Sequence, residues 1–499
     1  MTPVLDTQTA NMITRTMSAT VIPRRLESIG FGPSSLLPHP VRLLYYAGLE
    51  GNARVFENVG LLDAVSVICN NDAKHSRLHK WLSHKEKRML SIYVDIIPLK
   101  IALTQVSAKI SKNAIWSRFS PLKVGFLPEP DVPGPEWVKV RVHSCGLCGS
   151  DLHLLKLDIN PRSCIAAIPG MERIFLGHEL FCEVVETGDA VSDVAVGDRL
   201  AYLGFFPNCK ALGATPCAPC AEGNYTLCLA PDKGKLPFNR GGGFSEYMIA
   251  HRSQWVKLPA GFTEDQALLT EPIAVAVHAA LKSPPRAGDR VLIIGSGTVG
   301  LNLLQVIKAL EPEARVTMLA RYQAQEEKAL GFGAEKVIRG GDLYRAVADD
   351  TGARLFCGMM GSRMILGGYD IVHDTVGSGN TFQDALRWVR SRGSVILSGV
   401  ELATPKFDFA PVWHQEIHVT GINCHGQEHA GGVSRTSFDW AIELIQQGKI
   451  DTASLISHRF PLKRIRDAVE TMTHKRKEPT FKIVMDVSGG VQAEISAIG

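Results

Sequence analysis

The stretch that most constrains the fold of this chain is residues 290–310, where an apolar run is followed by a glycine-rich turn and a second apolar segment. Val291 to Ile294 form the run, which is typical of a parallel strand buried on both faces. The turn reads Gly295-Ser296-Gly297-Thr298-Val299-Gly300, and residues 301–310 have the composition of a helix. A strand, a tight turn and a helix in this order predict the start of a parallel βαβ unit.

The glycines of this turn have separate roles. Gly295 permits the tight turn, Gly297 lets the backbone approach a pyrophosphate, and Gly300 lets the helix pack on the strand. The helix N-terminus at Thr298 and Val299 supplies unpaired N–H groups to the phosphates. The stretch therefore predicts a binding site for a dinucleotide coenzyme.

Strands and helices continue to alternate to about residue 425. Further strands are predicted near residues 315–319, 369–373, 394–398 and 417–422. This alternation is typical of a doubly wound parallel sheet, in which ligands bind beyond the carboxyl ends of the strands. Gly377, Gly399 and Val400 follow two of these strands, so we expect them to border the nicotinamide.

The end of the second predicted strand bears on the choice of coenzyme. An NAD site usually has Asp or Glu here to bind the ribose 2′-hydroxyl, whereas this chain has Ala320 and Arg321. Arg321 is suited to pair with a 2′-phosphate. The alternative is an ordinary surface arginine beside an NAD pocket. The sequence favours NADP(H) over NAD(H).

A second feature lies in a β-rich region before the sheet. The segments Cys145-Gly146-Leu147-Cys148-Gly149-Ser150-Asp151-Leu152-His153 and Gly177-His178-Glu179 supply a thiolate, an imidazole and a carboxylate. Three such ligands leave the fourth position of Zn²⁺ open for water or substrate. Singly, these residues are more simply a reduced cysteine in a turn and a hydrogen-bonded core histidine. Together with the dinucleotide turn, they favour a metal site.

The cysteines indicate a second metal site. The chain has eleven cysteines and no secretory signal pattern, which argues against a disulfide scaffold. Four of them fall close together, at Cys209, Cys217, Cys220 and Cys228. Such clustering is typical of a bound metal ion.

Composition excludes several classes of protein. The net charge is +4 over 499 residues without a dense basic block, so nucleic-acid binding is not expected. No apolar run approaches the roughly 18–20 residues of a membrane span. Residues 1–88 match no pattern and are interpreted as an N-terminal extension of unknown role, a candidate for disorder. A transit peptide has little support, so we expect a cytoplasmic protein.

Together these motifs resemble the zinc-dependent alcohol dehydrogenases of the medium-chain dehydrogenase/reductase superfamily, nearest to the polyol and threonine dehydrogenase branch. The resemblance covers about residues 89–487 and rests on GLCGSDLH, GHE, the cysteine cluster, Glu271-Pro272 and GSGTVG, in that order. It implies an α/β protein with a discontinuous GroES-like β-rich catalytic domain, residues 89–271 and 426–499. A doubly wound, Rossmann-type coenzyme domain, residues 272–425, is inserted in it.

The resemblance also implies an activity and a metal site. The activity is hydride transfer between NADP(H) or NAD(H) and a secondary alcohol or polyol, in a homodimer or homotetramer. The catalytic zinc is held by Cys148, His178 and Glu179, and Cys145 matches a position that is not a ligand in relatives. Glu271, in a Thr-Glu-Pro turn, matches a further carboxylate that approaches the metal in some relatives.

Three more residues near the first metal site receive roles from the resemblance. Ser150 occupies the position of a hydroxyl that takes the alcohol proton. His153 is suited to carry that proton outward, because an imidazole can both accept and release a proton near neutral pH. Asp151 is expected to orient a ligand imidazole.

The cysteine cluster departs from the pattern of relatives, which is C-x2-C-x2-C-x7-C. Cys217, Cys220 and Cys228 keep the last two intervals, but Ala214 stands at the expected first position. Cys209 lies eight residues before Cys217 and reaches the metal only if the loop folds back. We expect a structural zinc completed by Cys209; the alternative is a lobe that has lost its zinc.

Two other functions are compatible with the fold. One is a zinc-free quinone or enoyl reductase of the same superfamily, and the other is a non-catalytic dinucleotide-binding sensor. The Cys/His/Glu set argues against both. Trp388 and Trp413 are predicted to be core residues.

Overall fold

The structure of the protein, a computed structural model, describes residues 87–160, 163–204, 206–402, 405–474 and 478–488. They all belong to one compact unit, Glu86–Gly499. The predicted N-terminal extension, residues 1–88, lies outside the described residues except for its last two. Among the helices of the described ranges, none has the length and apolarity needed to cross a membrane.

The strands of the described residues fall into two main sheets and several smaller ones. In chain order they are β1 (Arg88–Asp95), β2 (Leu122–Pro128), β3 (Trp137–Leu147), β4 (Arg173–Phe175), β5 (Glu179–Thr187), β6 (Leu200–Tyr202), β7 (Tyr247–His251), β8 (Trp255–Lys257), β9 (Arg290–Ile294), β10 (Arg315–Leu319), β11 (Lys336–Ile338), β12 (Arg354–Cys357), β13 (Arg363–Leu366), β14 (Tyr369–Asp374), β15 (Val389–Leu397), β16 (His418–Gly421), β17 (Gln427–Ala430), β18 (Val433–Thr436), β19 (Ile456–Pro461) and β20 (Lys482–Asp486).

Helices connect these strands. In chain order they are α1 (Pro98–Ile110), α2 (Gly149–Leu155), α3 (Ala218–Ala221), α4 (Glu264–Lys282), α5 (Thr298–Leu310), α6 (Gln323–Gly331), α7 (Leu343–Thr351), α8 (Gly379–Trp388), α9 (Ala410–His414), α10 (Ser437–Gln446) and α11 (Ile465–Thr473).

The larger sheet is parallel and has six strands in the order β11-β10-β9-β14-β15-β16. Counted along the chain, this order is 3-2-1-4-5-6, which is that of a doubly wound dinucleotide-binding fold. The strand order reverses between β9 and β14, so the glycine-rich turn after β9 lies at the crevice where ligands bind in such sheets. The predicted α/β fold class is confirmed.

The second main sheet carries the predicted metal site. Its strands follow the order β19-β20-β3-β5, with β7 also paired to β3. The closing strand β20 runs antiparallel to β3, with Ile483 opposite Leu147 and Val484 opposite Gly146. This register brings Lys482, the first residue of β20, to the level of the Cys148 turn.

Helix α4 joins the two parts of the molecule. Thr263 caps its N-terminus, because the Thr263 hydroxyl accepts from the Gln266 N–H (3.2 Å) and the Gln266 side chain accepts from the Thr263 N–H (2.9 Å). The helix continues through Glu271 and Pro272, where the sequence predicted a turn. That prediction was wrong because burial of the surrounding apolar residues outweighs the hydrogen bond that a proline removes.

Two further features differ from the sequence analysis. Helix α1 was not predicted; only Ile101 and Thr104 of its residues are buried, so its apolar residues give no core-facing pattern. Trp388 is 1% exposed, as predicted, but Trp413 is 72% exposed. Trp413 lies on the five-residue helix α9, where Pro411 takes the one buried position.

Candidate active site and metal centres

The antiparallel pairing of β3 and β5 creates the first site. Gly146 at the end of β3 lies opposite Glu179 at the start of β5, so the turns that follow and precede these strands are neighbours. One ligand atom each from Cys148, His178 and Glu179 lies within 4.8 Å of the others. Tetrahedral zinc ligands lie about 3.3–3.8 Å apart, so this donor set and spacing fit a zinc ion with small side-chain adjustments.

Glycines at two positions allow this close approach. A Cβ atom on Gly146 would lie 2.0 Å from Glu179 Oε2. Gly177 has φ +83°, and a Cβ there would lie 2.8 Å from Cys145 Sγ. A side chain at either position would displace the strands that carry the ligands.

Asp151 ties the two ligand turns together. Its Oδ1 accepts from the Gly177 N–H (2.9 Å) and its Oδ2 accepts from the Cys148 N–H (3.1 Å). His178 Nδ1 lies 3.8 Å from Oδ1. Burial raises the pKa of Asp151, while His178 and the two amides oppose that rise. The carboxylate therefore fixes the two ligand-bearing turns relative to each other and lies beside the His178 ring without a hydrogen bond to it.

Lys482 lies against this cluster, and the sequence analysis did not predict it. Its Nζ donates to both carboxylate oxygens of Glu179, at 2.6 and 2.5 Å, and the two side chains are 3% and 1% exposed. Burial lowers the pKa of Lys482, but Glu179 and Cys148 outweigh it, so the pKa is raised. The available signal was a single lysine beside the apolar run Ile483-Val484-Met485, which is too weak to identify a partner 303 positions away.

The other predicted residues of this site lie around the cluster. Ser150 is half-buried in the first turn of α2, and His153, on the same helix, has its Nδ1 3.4 Å from Asp158 Oδ2. Glu271 is buried in α4 and is not part of the three-residue cluster. Burial raises its pKa to about 7, against the opposing effect of His178.

Cys145 lies outside the ligand cluster. Its side chain is fully buried, and burial, together with the charges of Asp151 and Glu179, raises its pKa well above the ordinary value. A thiol of this kind is a poor metal ligand, because the thiolate is the ligand form.

The four clustered cysteines meet in a separate lobe. The sulfur atoms of Cys209, Cys217, Cys220 and Cys228 lie within 4.8 Å of one another, and Cys209 and Cys228 are 3.7 Å apart. Sulfur ligands of tetrahedral zinc are about 3.8 Å apart. The loop therefore folds back far enough to bring Cys209 to the other three.

Backbone amides point at these sulfur atoms. The Cys217 N–H donates to Cys209 Sγ (3.3 Å), the Leu229 N–H to Cys217 Sγ (3.4 Å), and the Ala230 N–H to Cys228 Sγ (3.4 Å). The amides of Leu229 and Cys220 lower the pKa of Cys217 to about 6. These amides favour the thiolate of Cys217, which is the form that binds zinc, whereas burial raises the pKa of Cys220 and of Cys228.

The glycine-rich turn has the geometry of a pyrophosphate cradle. Gly295 has φ +102°, and a Cβ on Gly300 would lie 1.9 Å from the Gly295 carbonyl oxygen. Gly297 caps α5, and a Cβ there would meet no neighbouring atom within 4 Å, so the space above this residue is open. Thr298 and Val299 form the first turn of α5, whose N–H groups are available to an anion.

The turns after β14 and β15 lie against each other. Gly377 has φ +77°, and a Cβ there would lie 2.4 Å from the carbonyl carbon of Gly399. The next residue, Val400, is 51% exposed. Asp374 fixes the first turn by accepting from the Val376 and Gly377 N–H groups, both at 3.0 Å.

Ala320 and Arg321 follow β10. Ala320 is buried and Arg321 is exposed. Arg321 lines a cavity of about 420 Å³ together with Tyr322 and Arg339. Arg339 follows β11 and pairs with Glu326, and Glu327 and Glu478 also line the cavity, so Arg321 is the guanidinium group there without a carboxylate salt bridge among the described residues.

Comparison with known proteins agrees with this geometry. Residues 134–260 match the alcohol dehydrogenase GroES-like domain, and residues 298–447 match the zinc-binding dehydrogenase family. The chain is 29% identical to a sorbitol dehydrogenase from Halalkalibacterium halodurans, over 67% of this chain and 88% of that protein. It is 27% identical to an L-idonate 5-dehydrogenase from Vitis vinifera, over 68% and 85% of the two chains.

A solved structure shares the fold. A zinc-binding dehydrogenase from Sinorhizobium meliloti 1021, bound to NADP, superimposes with a TM-score of 0.56 at 24% identity and covers 80% of this chain and 99% of that one. The first match covers β3, β5 and β7 with the candidate metal ligands, and the second covers five of the six strands of the parallel sheet and the end of the glycine-rich turn. The chain therefore belongs to the zinc-dependent alcohol dehydrogenases of the medium-chain dehydrogenase/reductase superfamily, in their polyol dehydrogenase branch.

Proposed function

We propose that this enzyme oxidises a secondary hydroxyl group of a polyol, or reduces the matching ketone, with NADP(H) as its coenzyme. The observation that carries the proposal is the cluster of Cys148, His178 and Glu179, whose ligand atoms lie within 4.8 Å of one another. A sorbitol dehydrogenase among the similar proteins supports a polyol as the substrate class.

The residues of the cluster would hold a catalytic zinc. When bound, Zn²⁺ polarises the alcohol oxygen, and the nicotinamide ring accepts the hydride. Ser150 takes the alcohol proton, and the partly exposed His153 passes it to solvent.

Two buried charges support these residues. Asp151 holds the His178 turn and the Cys148 turn in one register, so the ligands are preorganised. Lys482 neutralises Glu179, which keeps a carboxylate stable in a buried position. Glu271, whose pKa is raised, supplies an additional carboxyl group that interacts with the His178 imidazole.

Turnover of polyols by the zinc-loaded full-length protein tests the proposal. Sorbitol, ribitol and arabinitol are offered with NADP⁺ and with NAD⁺, and formation of the reduced coenzyme is measured. Cys148→Ser is expected to lower kcat/KM by about a thousandfold and to remove zinc, because a metal ligand supplies several kcal/mol of transition-state stabilisation. Cys357→Ser is the control, since Cys357 is an exposed thiol in β12. Absence of turnover with every polyol and both coenzymes contradicts the proposal.

The preference for NADP(H) rests on the cavity beside Arg321. Arg321→Ala is expected to lower kcat/KM for NADP⁺ by about 10–100-fold, because a charge-assisted hydrogen bond contributes about 1.5–3 kcal/mol. The value for NAD⁺, which lacks the 2′-phosphate, should change by less than about twofold. Equal losses with both coenzymes would show that Arg321 does not recognise the 2′-phosphate.

We also propose a structural zinc in the cysteine lobe, so that each chain binds two zinc ions. The support is the convergence of four sulfur atoms and the three amides that donate to them. Metal analysis of the purified protein gives the number directly. One zinc per chain in a protein that keeps its activity would contradict the structural site.

The alternative functions have weaker support. The reaction of a zinc-free quinone or enoyl reductase does not require the Cys148, His178 and Glu179 cluster. A non-catalytic sensor does not require a three-ligand metal site whose fourth position is open to substrate.

We further propose a cytoplasmic homodimer or homotetramer. The described cysteines are all free thiols, which suits a reducing compartment. Strand β16 is the edge of the parallel sheet, and His418 and Val419 on it are exposed. A second copy would cover this edge. Light scattering coupled to size exclusion measures the number of chains in the assembly.

A further inference from the structure

The turn that ends helix α2 is held in an unfavourable backbone conformation. The Leu157 N–H donates to the Leu154 carbonyl (3.0 Å) and the Asp158 N–H donates to the His153 carbonyl (2.8 Å). This pair of bonds is a Schellman motif, in which the residue after the C-cap has a positive φ and is usually glycine. Here that residue is Leu157, with φ 54° and a side chain that is 1% exposed. A non-glycine residue keeps this conformation only where its surroundings impose it.

Helix α1 supplies part of those surroundings. The Gln105 side-chain amide donates from Nε2 to the Leu157 carbonyl (2.7 Å) and to the Ile159 carbonyl (3.0 Å). Two carbonyl acceptors use both N–H groups of the amide, so the orientation of the amide group is fixed. Helix α1 lies outside residues 134–260, which match the GroES-like domain.

The loop that follows reaches the coenzyme-binding part. The Asn160 N–H donates to the Leu402 carbonyl (3.1 Å), and Leu402 follows the Gly399-Val400 turn at the end of β15. Residues 157–160 are therefore attached to α1 at one end and to the coenzyme side at the other. They also follow α2, whose N-cap is Cys148 and which carries Ser150 and His153.

We propose that Gln105 is a positioning residue that holds loop 157–160 between α1 and the turn after β15, next to the helix that carries Ser150, and thereby sets the affinity for the alcohol. Gln105 acts through the loop and not on the reacting atoms. The inference rests on the proposed function for its kinetic part, while the restraint on the loop stands on geometry alone.

Three variants of Gln105 test it. Gln105→Ala removes both hydrogen bonds. Gln105→Met keeps the length of the side chain without the donors. Gln105→Glu keeps the shape of the side chain but replaces Nε2 with a carboxylate oxygen, which would face the carbonyl oxygens of Leu157 and Ile159. All three are expected to raise KM for the polyol by about tenfold, with Gln105→Glu the most affected, and to change kcat by less than about threefold. If Gln105 served only to fill space, Gln105→Glu would behave as the wild type.

Ser107→Ala is the matched control. Ser107 lies on the same helix, and its hydroxyl donates to the Leu103 carbonyl within that helix. Its KM and kcat should equal those of the wild type.

Hydrogen exchange followed by mass spectrometry gives a readout that does not depend on activity. Peptides that cover residues 153–160 should exchange at least about tenfold faster in the Gln105 variants, while peptides from β9 and α5 remain unchanged. Unchanged exchange in this loop overturns the inference. Faster exchange with an unchanged KM also overturns it, because the loop would then not set substrate affinity. A wild-type protein without turnover contradicts the proposed function, and exchange alone then decides whether Gln105 holds the loop.

Discussion

Lys482 and Glu179 form a buried ion pair in the proposed catalytic metal site, and replacing the lysine should have a large effect. Lys482→Met removes the only ammonium group within hydrogen-bonding distance of Glu179 among the described residues. The carboxylate, whose side chain is 1% exposed, would remain buried without its partner. At a charge separation of about 3–4 Å and an effective dielectric constant of about 20, the lost attraction is about 4–5 kcal/mol.

The free energy of unfolding should therefore fall. Breaking a buried pair by removing one partner costs about 3–5 kcal/mol, because the remaining charge keeps its desolvation penalty. We expect a loss of this size in the chelator-treated protein, measured by urea unfolding with far-ultraviolet circular dichroism. The pKa of Lys482 is raised, so its contribution is complete below the unfolded value near 10.4 and is lost only as the pH rises through the folded value. Lys482 itself therefore stays charged up to about pH 9, and the loss should change below that pH only as Glu271 titrates, since Lys482 is one of the charges that lower the pKa of Glu271.

Two companion variants separate charge from packing. Lys482→Arg keeps the positive charge and should lose less stability than Lys482→Met. The double variant Glu179→Gln/Lys482→Met removes both charges, so its loss should be smaller than the sum of the two single losses. Added Zn²⁺ should stabilise Lys482→Met more than it stabilises the wild type, because the metal ion supplies the missing positive charge. A Lys482→Met protein within about 1 kcal/mol of the wild type without zinc would refute this reasoning.

Other changes give simpler tests. Cys209→Ser should remove one zinc ion per chain and lower the thermal unfolding temperature while the catalytic zinc remains; retention of both ions would contradict the four-sulfur site. Gly300→Ala should destabilise the fold, because its Cβ would lie 1.9 Å from a carbonyl oxygen, whereas Gly297→Ala should fold normally but bind coenzyme at least about tenfold more weakly in a fluorescence titration. His373 is buried without a hydrogen-bond partner for either ring nitrogen, and burial lowers its pKa to about 3. The folded protein keeps this ring neutral, whereas the unfolded chain protonates it below about pH 6.5, so wild-type stability should fall by about 2 kcal/mol between pH 6.5 and pH 5. His373→Leu should remove this loss, and the variant His418→Gln, at an exposed histidine, is the control.

Features with a local pattern could be predicted. The turn Gly295 to Gly300 was identified from its spacing and the apolar run before it, and the structure has the expected strand, turn and helix. The cysteine lobe was identified from four residues close in sequence. Whether Cys209 reaches the other three depended on the path of the loop, which only the structure gives.

Features without such a pattern were missed. Helix α1 has few buried residues, so its hydrophobic pattern did not indicate a packed helix. Trp413 was predicted to lie in the core, but its five-residue helix buries one position, and Pro411 occupies it.

The doubly wound sheet, the dinucleotide turn and the candidate metal ligands could be predicted from the sequence, because each depends on residues close together along the chain. The charge beside Glu179 and the side chain that restrains Leu157 became evident only from the folded chain. Lys482 and Gln105 reach these partners across 303 and 52 positions. Contacts at such separations depend on the pairing of β20 with β3 and on the packing of α1, and neither leaves a periodic signal in the residues that make the contact.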